Sequence, residues 1–467
     1  MNERCGVVAI SSRKDVAQDI YVALTALQHR GQEAAGMALY DERSNALEVY
    51  RGLGLVGEAF KNFDLHELKG KKGIGHVYYS VKISTPENAQ PTLIHTSAGD
   101  IAIGHNGIIT NSERLKEELL KEGHNFFYGN EEEAIIYLLS DNLKEKSIEK
   151  AVRATMKKLE GSYSFTFMIN DRVFGLRDPL GIKPLCLGKI DGGYMIASES
   201  VAVDALGGEL IRDVEPGELV EITPDGYRSY RLMEEKPHAH CFFEYIYFAR
   251  ADAVLDGIEV YGVRERVGKI LAREHPVDAD YVIPVPDSGR AHAYGFSKES
   301  GIPLAEGLMK NRYIARTFIL PTQSIREKLV RLKVNPVKSI VEGKRIVLID
   351  DSIVRGTTMK KIVELLRHHG AEEVHVRIGS PPIIAPCYFG IDMTTREQLM
   401  ASGRTIKEIE KEIGADSLAY ISIDGMVEAI GMEKANLCLG CVTGEYPVKI
   451  EGERHRFQEN LGKWEED

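Results

Sequence analysis

The 467-residue chain carries 59 basic and 70 acidic side chains, a formal net charge of −11, which excludes a general nucleic-acid binder and leaves room only for a local basic pocket. At roughly 150 residues per domain the length predicts two to three domains, and six cysteines are too few for a disulfide scaffold. No run approaches the roughly 18 apolar residues of a membrane helix, and MNERCGVVAISSRKD is polar again too soon for a signal-peptide core, so a soluble cytoplasmic protein without membrane partners is expected.

Short strands with turn signals dominate the first half: CGVVAIS, GMALYD, ALEVYRG, KKGIGHVYYS, IAIGHNG, SYSFTFMI, RVFGLRD and GYMIASES. Apolar residues recur at helical spacing over Asp15–Gln28, Ser112–Glu122, Glu132–Asn142 and Ile148–Leu159. Grouped elements of this kind predict α+β packing with layered sheets. VEPGELVEI and DGYRSYRLM read as a closing hairpin, and the polar run Glu234–His240 as a domain boundary. Beyond it, YVIPVPD, KRIVLIDDS and EEVHVRIGS are short apolar runs suited to buried parallel strands. The last two flank a helical run, Thr357–Gly370, which makes a βαβ unit of an α/β doubly wound sheet. The polar segment Arg316–Asn335 fits either a loop over a phosphate site or a solvated helix.

The string RIVLIDDSIVRGTT (Arg345–Thr358) is the strongest motif. A strand delivers Asp350 and Asp351, and a turn then leads into a helix. Backbone N–H groups of Ser352–Thr358, including Val354 and Arg355, can cradle an anion together with the helix N-terminus. Ser352, Thr357 and Thr358 add hydroxyls, and Gly356 permits close backbone approach. Tandem carboxylates repel an anion but suit a ribose diol, Mg²⁺, or both. The string resembles the phosphoribosyl pyrophosphate (PRPP) loop of type I phosphoribosyltransferases. That resemblance implies that Asp350 and Asp351 contact ribose and metal, and that Ser352–Thr358 holds the 5-phosphate. It also implies that Ser288, in YVIPVPDSGR, approaches the Mg²⁺.

Cys5 opens the first strand. A thiol is activated without histidine if its own α-amino group serves as base, which requires removal of Met1–Arg4. LQHRGQEAAG, GIGHVYYS, GHNGII, GSYSF and RDPLGIKPL follow in the order seen in N-terminal-nucleophile glutamine amidotransferases. The resemblance implies a Cys5 nucleophile, Arg30 near the thiol, and an oxyanion hole from the Asn106 side-chain amide and the Gly107 N–H. With CFFEYIYFAR, KNRYIARTFI and RIGSPPIIAPCYFGID, the whole chain resembles the amidophosphoribosyltransferase family, iron–sulfur class. This implies a propeptide over 1–4, an αββα N-terminal-nucleophile glutaminase domain over 5–233 and a type I phosphoribosyltransferase domain over 234–467. The reaction implied is glutamine + PRPP + water → 5-phosphoribosylamine + glutamate + pyrophosphate, at the first committed step of purine synthesis. Arg316, Lys333 and Tyr247 would assist at the PRPP site under a closing loop.

Two positions depart from the family. Its arginine for the glutamine α-carboxylate is Tyr78 here, and its aspartate for the α-amino group is Glu131. Losing a charge-assisted fork costs about 1.5–3 kcal/mol of glutamine binding, and Lys82 is a substitute candidate. An ammonia-dependent synthase with weakened glutaminase, or a non-catalytic PRPP sensor, are the alternative functions.

Cys438 and Cys441 form a C-x-x-C pair with Cys241 and Cys387 far upstream. Four thiolates can hold zinc or a 4Fe–4S cluster, and the ligand count does not separate them. The family resemblance implies the cluster. Cys186 reads as a buried small hydrophobe. His238 with His240, and His368 with His369, read as solvated. Family resemblance further implies a homotetramer and purine nucleotide feedback inhibitors.

Overall fold

The computed structural model describes residues 4–79, 85–233, 238–311, 334–391, 393 and 395–450. The first half forms two antiparallel sheets. The seven-stranded sheet contains β1 (Arg4–Ser12), β2 (Ala34–Asp41), β3 (Ala46–Leu53), β4 (Lys72–Tyr79), β9 (Cys186–Ile190), β10 (Gly193–Ala197) and β11 (Glu209–Asp213), in the order β11-β9-β10-β1-β4-β2-β3. The six-stranded sheet contains β5 (Thr92–Thr96), β6 (Gly99–Ile109), β7 (Gly161–Ile169), β8 (Arg172–Arg177), β12 (Glu218–Thr223) and β13 (Gly226–Arg231), in the order β13-β12-β8-β7-β6-β5. The hairpin expected after Asp213 is β12–β13. β5, β9 and β11 were not anticipated, because His95, Lys189 and Arg212 interrupt their short apolar runs, unlike that of the equally short β10.

Period-two alternation explains the layering. Val7 and Ala9 of β1 point into the space between the sheets with Ala38, Ile74, Ala102 and Met168. Val8 and Ile10 point the other way, onto the helix Ala17–Ala26. Ile101, Ile103, Phe165 and Phe167 likewise meet the helices Ser112–Lys121, Glu131–Leu143 and Ile148–Met156. The result is the expected αββα sandwich.

Beyond Arg231 the architecture changes. A four-stranded parallel sheet runs Tyr281–Pro284, Arg345–Asp350, Glu373–Ile378, Ser417–Tyr420. Its strands are buried on both faces, which is why they read as unbroken apolar runs. Val347 and Ile349 pack toward Val263, Val267 and Phe296 on one side, whereas Ile346 and Leu348 meet Met359, Ile362 and Leu366 on the other. The strand Arg345–Asp350, helix Thr357–His368 and strand Glu373–Ile378 are the anticipated βαβ unit.

Buried ion pairs join the halves. Arg30 Nη2 donates to Glu244 Oε2 at 2.6 Å and its Nε donates to Glu199. Arg177 Nη1 and Nη2 donate to Asp256 Oδ1 and Oδ2 at 2.6 and 3.0 Å. Asp256 sits in a two-residue Asp-Gly turn with φ 48° and 74°, the geometry of a tight hairpin. His240 corrects the expectation of solvated histidines: it is buried, 2.8 Å from Asp256 Oδ2 and 3.2 Å from His238 Nδ1. Polar neighbours in sequence suggested exposure, but the charged partner lies in a different element. His368 is exposed as expected, and Cys186 is buried. Among the described residues no helix is long and apolar enough to cross a membrane.

His76 of β4 is enclosed between the sheets, and burial pushes its imidazole down to about 3. The unfolded chain therefore takes up this proton below about pH 6.5 while the folded chain does not. Stability should fall with acidification by about 1.4 kcal/mol per pH unit from this residue between those limits. Urea unfolding of His76→Gln between pH 7.5 and 4.5 should show a slope shallower than that of the parent by that amount.

Candidate active site

Cys5 is fully buried and lies opposite Tyr78 in the β1–β4 register. It shares the inward face with Val7, two residues on. A Cβ on Gly104 would stand 3.7 Å from Val7 Cγ1, so the inward faces of β1 and β6 meet there. Asn106, two residues past Gly104, points into the same space. Its side-chain nitrogen is buried and has no hydrogen-bond partner among the described residues, as an oxyanion donor awaiting an acceptor should be. Gly107 has φ 144°, and a Cβ there would lie 2.1 Å from Ser162 O, so only glycine fits.

Arg30 lies beside this end of β1: a Cβ on Gly6 would meet its Cβ and Cδ at 3.3 Å. Its guanidinium, however, is directed at Glu199 and Glu244, with Phe248 4.8 Å below it. Burial disfavours this charge, but the two carboxylates outweigh that and raise its pKa. Burial alone would likewise raise Glu199, yet Arg30 and His29 hold it at about 2. Arg30 thus packs near Cys5 while its charge faces the junction of the two halves. Glu131 Oε2 accepts from Ile109 N at 2.8 Å, just beyond the Asn106–Gly107 pair. Lys82 lies outside the described residues.

The second site is a cavity of about 470 Å³. The turn Asp350–Thr358 forms its floor, and Ser288, Tyr247, Phe243, Ile391 and Tyr79 complete it. Gly356 caps the helix Thr357–His368 at φ 71°, so the turn residues face the positive helix end. Met400 N donates to Val354 O at 2.8 Å and braces the turn. Arg355 and both threonines are exposed at its rim. Arg316 and Lys333 fall outside the described residues.

Asp350 is driven well above the usual carboxylate range by burial and then by the charge of Asp351. Asp351 is raised by burial, tempered by hydrogen bonds from Ser288 and Ser352 and by Arg264. Two adjacent carboxylates that resist joint ionisation fit a divalent cation or a diol, either of which relieves the repulsion. Arg264 was missed in the sequence. It is buried and spans Tyr245 O at 2.9 Å and Ala249 O at 2.7 Å. The first of these carbonyls lies in a wide π-helical turn, Glu244–Phe248, a device that recurs at functional sites, and the second directly follows it. This turn sends Glu244 to Arg30 and Tyr247 to the large cavity. CFFEYIYFAR signalled the segment but not its partners.

Cys241, Cys387, Cys438 and Cys441 line one small apolar cavity with Ile182, Phe389 and Tyr446. Cys241 lies opposite Cys438 in a short parallel pairing. Burial pushes the Cys241 thiol up to about 12, so these sulfurs need a cation to become thiolates, and four convergent soft donors fit a soft metal centre.

Residues 76–205 match the glutamine amidotransferase domain family and residues 261–378 the phosphoribosyl transferase domain family. The chain is 50% identical to the amidophosphoribosyltransferase of Methanocaldococcus jannaschii, over 98% of this chain and 100% of that protein. It is 51% identical to that of Archaeoglobus fulgidus, over 96% of this chain and 99% of that protein. The solved structure of Bacillus subtilis glutamine PRPP amidotransferase, complexed with ADP and GMP, superposes with a TM-score of 0.89 at 41% identity, covering 96% of this chain and 98% of that one. With identity this high over nearly the full length, the chain belongs to the amidophosphoribosyltransferase family.

Proposed function

We propose that this chain moves the amide nitrogen of glutamine onto C1 of PRPP, yielding 5-phosphoribosylamine, glutamate and pyrophosphate. One observation carries the reading: Tyr79 lines the large cavity while its neighbour Tyr78 lies opposite Cys5. The nitrogen source and its acceptor therefore meet at the end of one strand.

After loss of Met1–Arg4, the Cys5 α-amine takes the thiol proton and the thiolate attacks the glutamine amide carbon. Asn106 and the Gly107 N–H receive the oxyanion, the α-ammonium returns its proton to the departing nitrogen so that ammonia leaves, and water hydrolyses the thioester to glutamate and the free thiol. Ammonia kept inside the protein stays unprotonated and reaches ribose C1 in the second cavity. There Ser352–Thr358 hold the 5-phosphate, Asp350 and Asp351 the ribose hydroxyls, and Tyr247 the side facing the other domain. Mg²⁺ held by Ser288, Asp350 and Asp351 would neutralise pyrophosphate as it departs. Arg316 and Lys333 would add positive charge toward the pyrophosphate, as the family resemblance implies. Purine nucleotides are proposed as feedback inhibitors and a homotetramer as the assembly, in a cytoplasmic enzyme.

The four thiols are proposed to hold a 4Fe–4S cluster. Four soft sulfur donors that converge on one small apolar cavity support a cluster, and the same donor set would also take zinc. Aerobically and anaerobically purified protein should differ, the latter being brown and carrying about four irons per chain; a colourless protein with one zinc would replace the cluster.

Tyr78 beside the nucleophile favours a second reading, an enzyme that draws partly on free ammonia, because a phenol lacks the fork that clamps a carboxylate. Glutamate release at saturating glutamine, with and without PRPP, separates the two; no release sinks the preferred reading. Cys5→Ala should abolish glutamate release yet retain ammonia-dependent pyrophosphate release. Mass spectrometry of the parent should find Cys5 as the first residue. Asn106→Ala should lower glutaminase kcat by about 10²–10³-fold and leave ammonia-dependent turnover within twofold.

A further inference from the structure

Lys183 has no part in either chemistry above, yet its ammonium is buried at the domain junction, with 1% of the residue exposed. Its main chain is fixed first: Lys183 O accepts from Arg177 Nε at 2.8 Å and from Ser164 Oγ at 3.1 Å. From that base Nζ crosses to the other half and donates to Gly390 O at 3.4 Å. Glu244 Oε1 lies 3.8 Å away and compensates the charge. One residue earlier, Phe389 O accepts from Ser162 Oγ at 3.0 Å, and Ser162 is fully buried.

Two side chains of the sandwich thus hold consecutive carbonyls of one short segment of the other half. That segment closes on itself, since Cys387 N donates to Met393 O at 2.8 Å. Its side chains stand at two walls. Cys387 and Phe389 border the thiol cavity, whereas Ile391 and Met393 border both that cavity and the large one. The partition between them is therefore anchored from the domain that carries Cys5.

We propose that Lys183, with Ser162, is a positioning residue for phosphoribosyl transfer, setting where Ile391 and Met393 stand in the PRPP cavity. This rests on the assignment of that cavity to PRPP. Lys183→Met keeps the length and removes the charge, and Glu244 keeps Arg30 as its partner, so no carboxylate is stranded. With ammonia as donor, the variant should raise KM for PRPP about tenfold, a loss of about 1.4 kcal/mol of binding at a displaced wall, with kcat within twofold. With glutamine, glutamate release should exceed pyrophosphate release, against a ratio of one in the parent. Lys183→Arg should restore both values, which a purely structural defect would not predict. Ser162→Ala removes only one hydroxyl and should move both in the same direction by about two- to threefold; it carries the test if Lys183→Met does not fold. Folded variants with parental KM and ratio would overturn the clamp alone. A parent that binds no PRPP in equilibrium dialysis would overturn the cavity assignment and the clamp with it.

Discussion

Charge buried without solvent is the constraint around which this molecule is organised. Arg30, Arg177 and Lys183 are all within 1% of complete burial, and each finds its carboxylate or carbonyl partner across the junction of the two halves. A cation removed from water loses several kcal/mol of hydration unless it is paired with good geometry. Docking the halves adds Asp256 to Arg177, Gly390 O and Glu244 to Lys183, and Glu244 to the Arg30–Glu199 pair that the first half already holds. Apolar surfaces slide over one another at little cost, whereas bidentate pairs such as Arg177–Asp256 fix register.

The junction is also where function concentrates. The wide turn Glu244–Phe248 offers Glu244 to the sandwich and Tyr247 to the large cavity. A regular helix would place residues three apart on one face; the looser turn, closed by Ala249 N donating to Glu244 O at 3.0 Å, lets one short segment face two ways. Its carbonyls would otherwise be left unsatisfied, and Arg264 supplies their donors. Because Arg264 also lies close enough to Asp351 to act on its ionisation, the same guanidinium braces the turn and moderates the acidic pair.

What the sequence disclosed follows from range. The PRPP-type turn was legible because strand, acids, turn and helix are contiguous, and each residue's task follows from its place in a short string. Cys5 and Asn106 were legible as motif members, and alternation along β1 and β6 brings their faces together. The ion pairs were not: Asp256 reads as an ordinary turn acid and Glu199 as one carboxylate among many, until folding brings arginines from distant segments. His240 misled for the same reason. The short strand β9 was lost because a glycine and a lysine interrupt its few apolar residues.

The parallel pairing of His240–Cys241 with Leu437–Cys438 has a consequence for biogenesis. During synthesis the segment around Phe242 and Phe243 emerges long before the C-terminal partner of His240–Cys241, and both phenylalanines are buried in the folded chain. Over roughly two-fifths of elongation, from Phe243 to Cys438 of 467 residues, this pairing cannot form. A seam that closes late leaves apolar surface open to association in that interval, and slow elongation through the second half lengthens it.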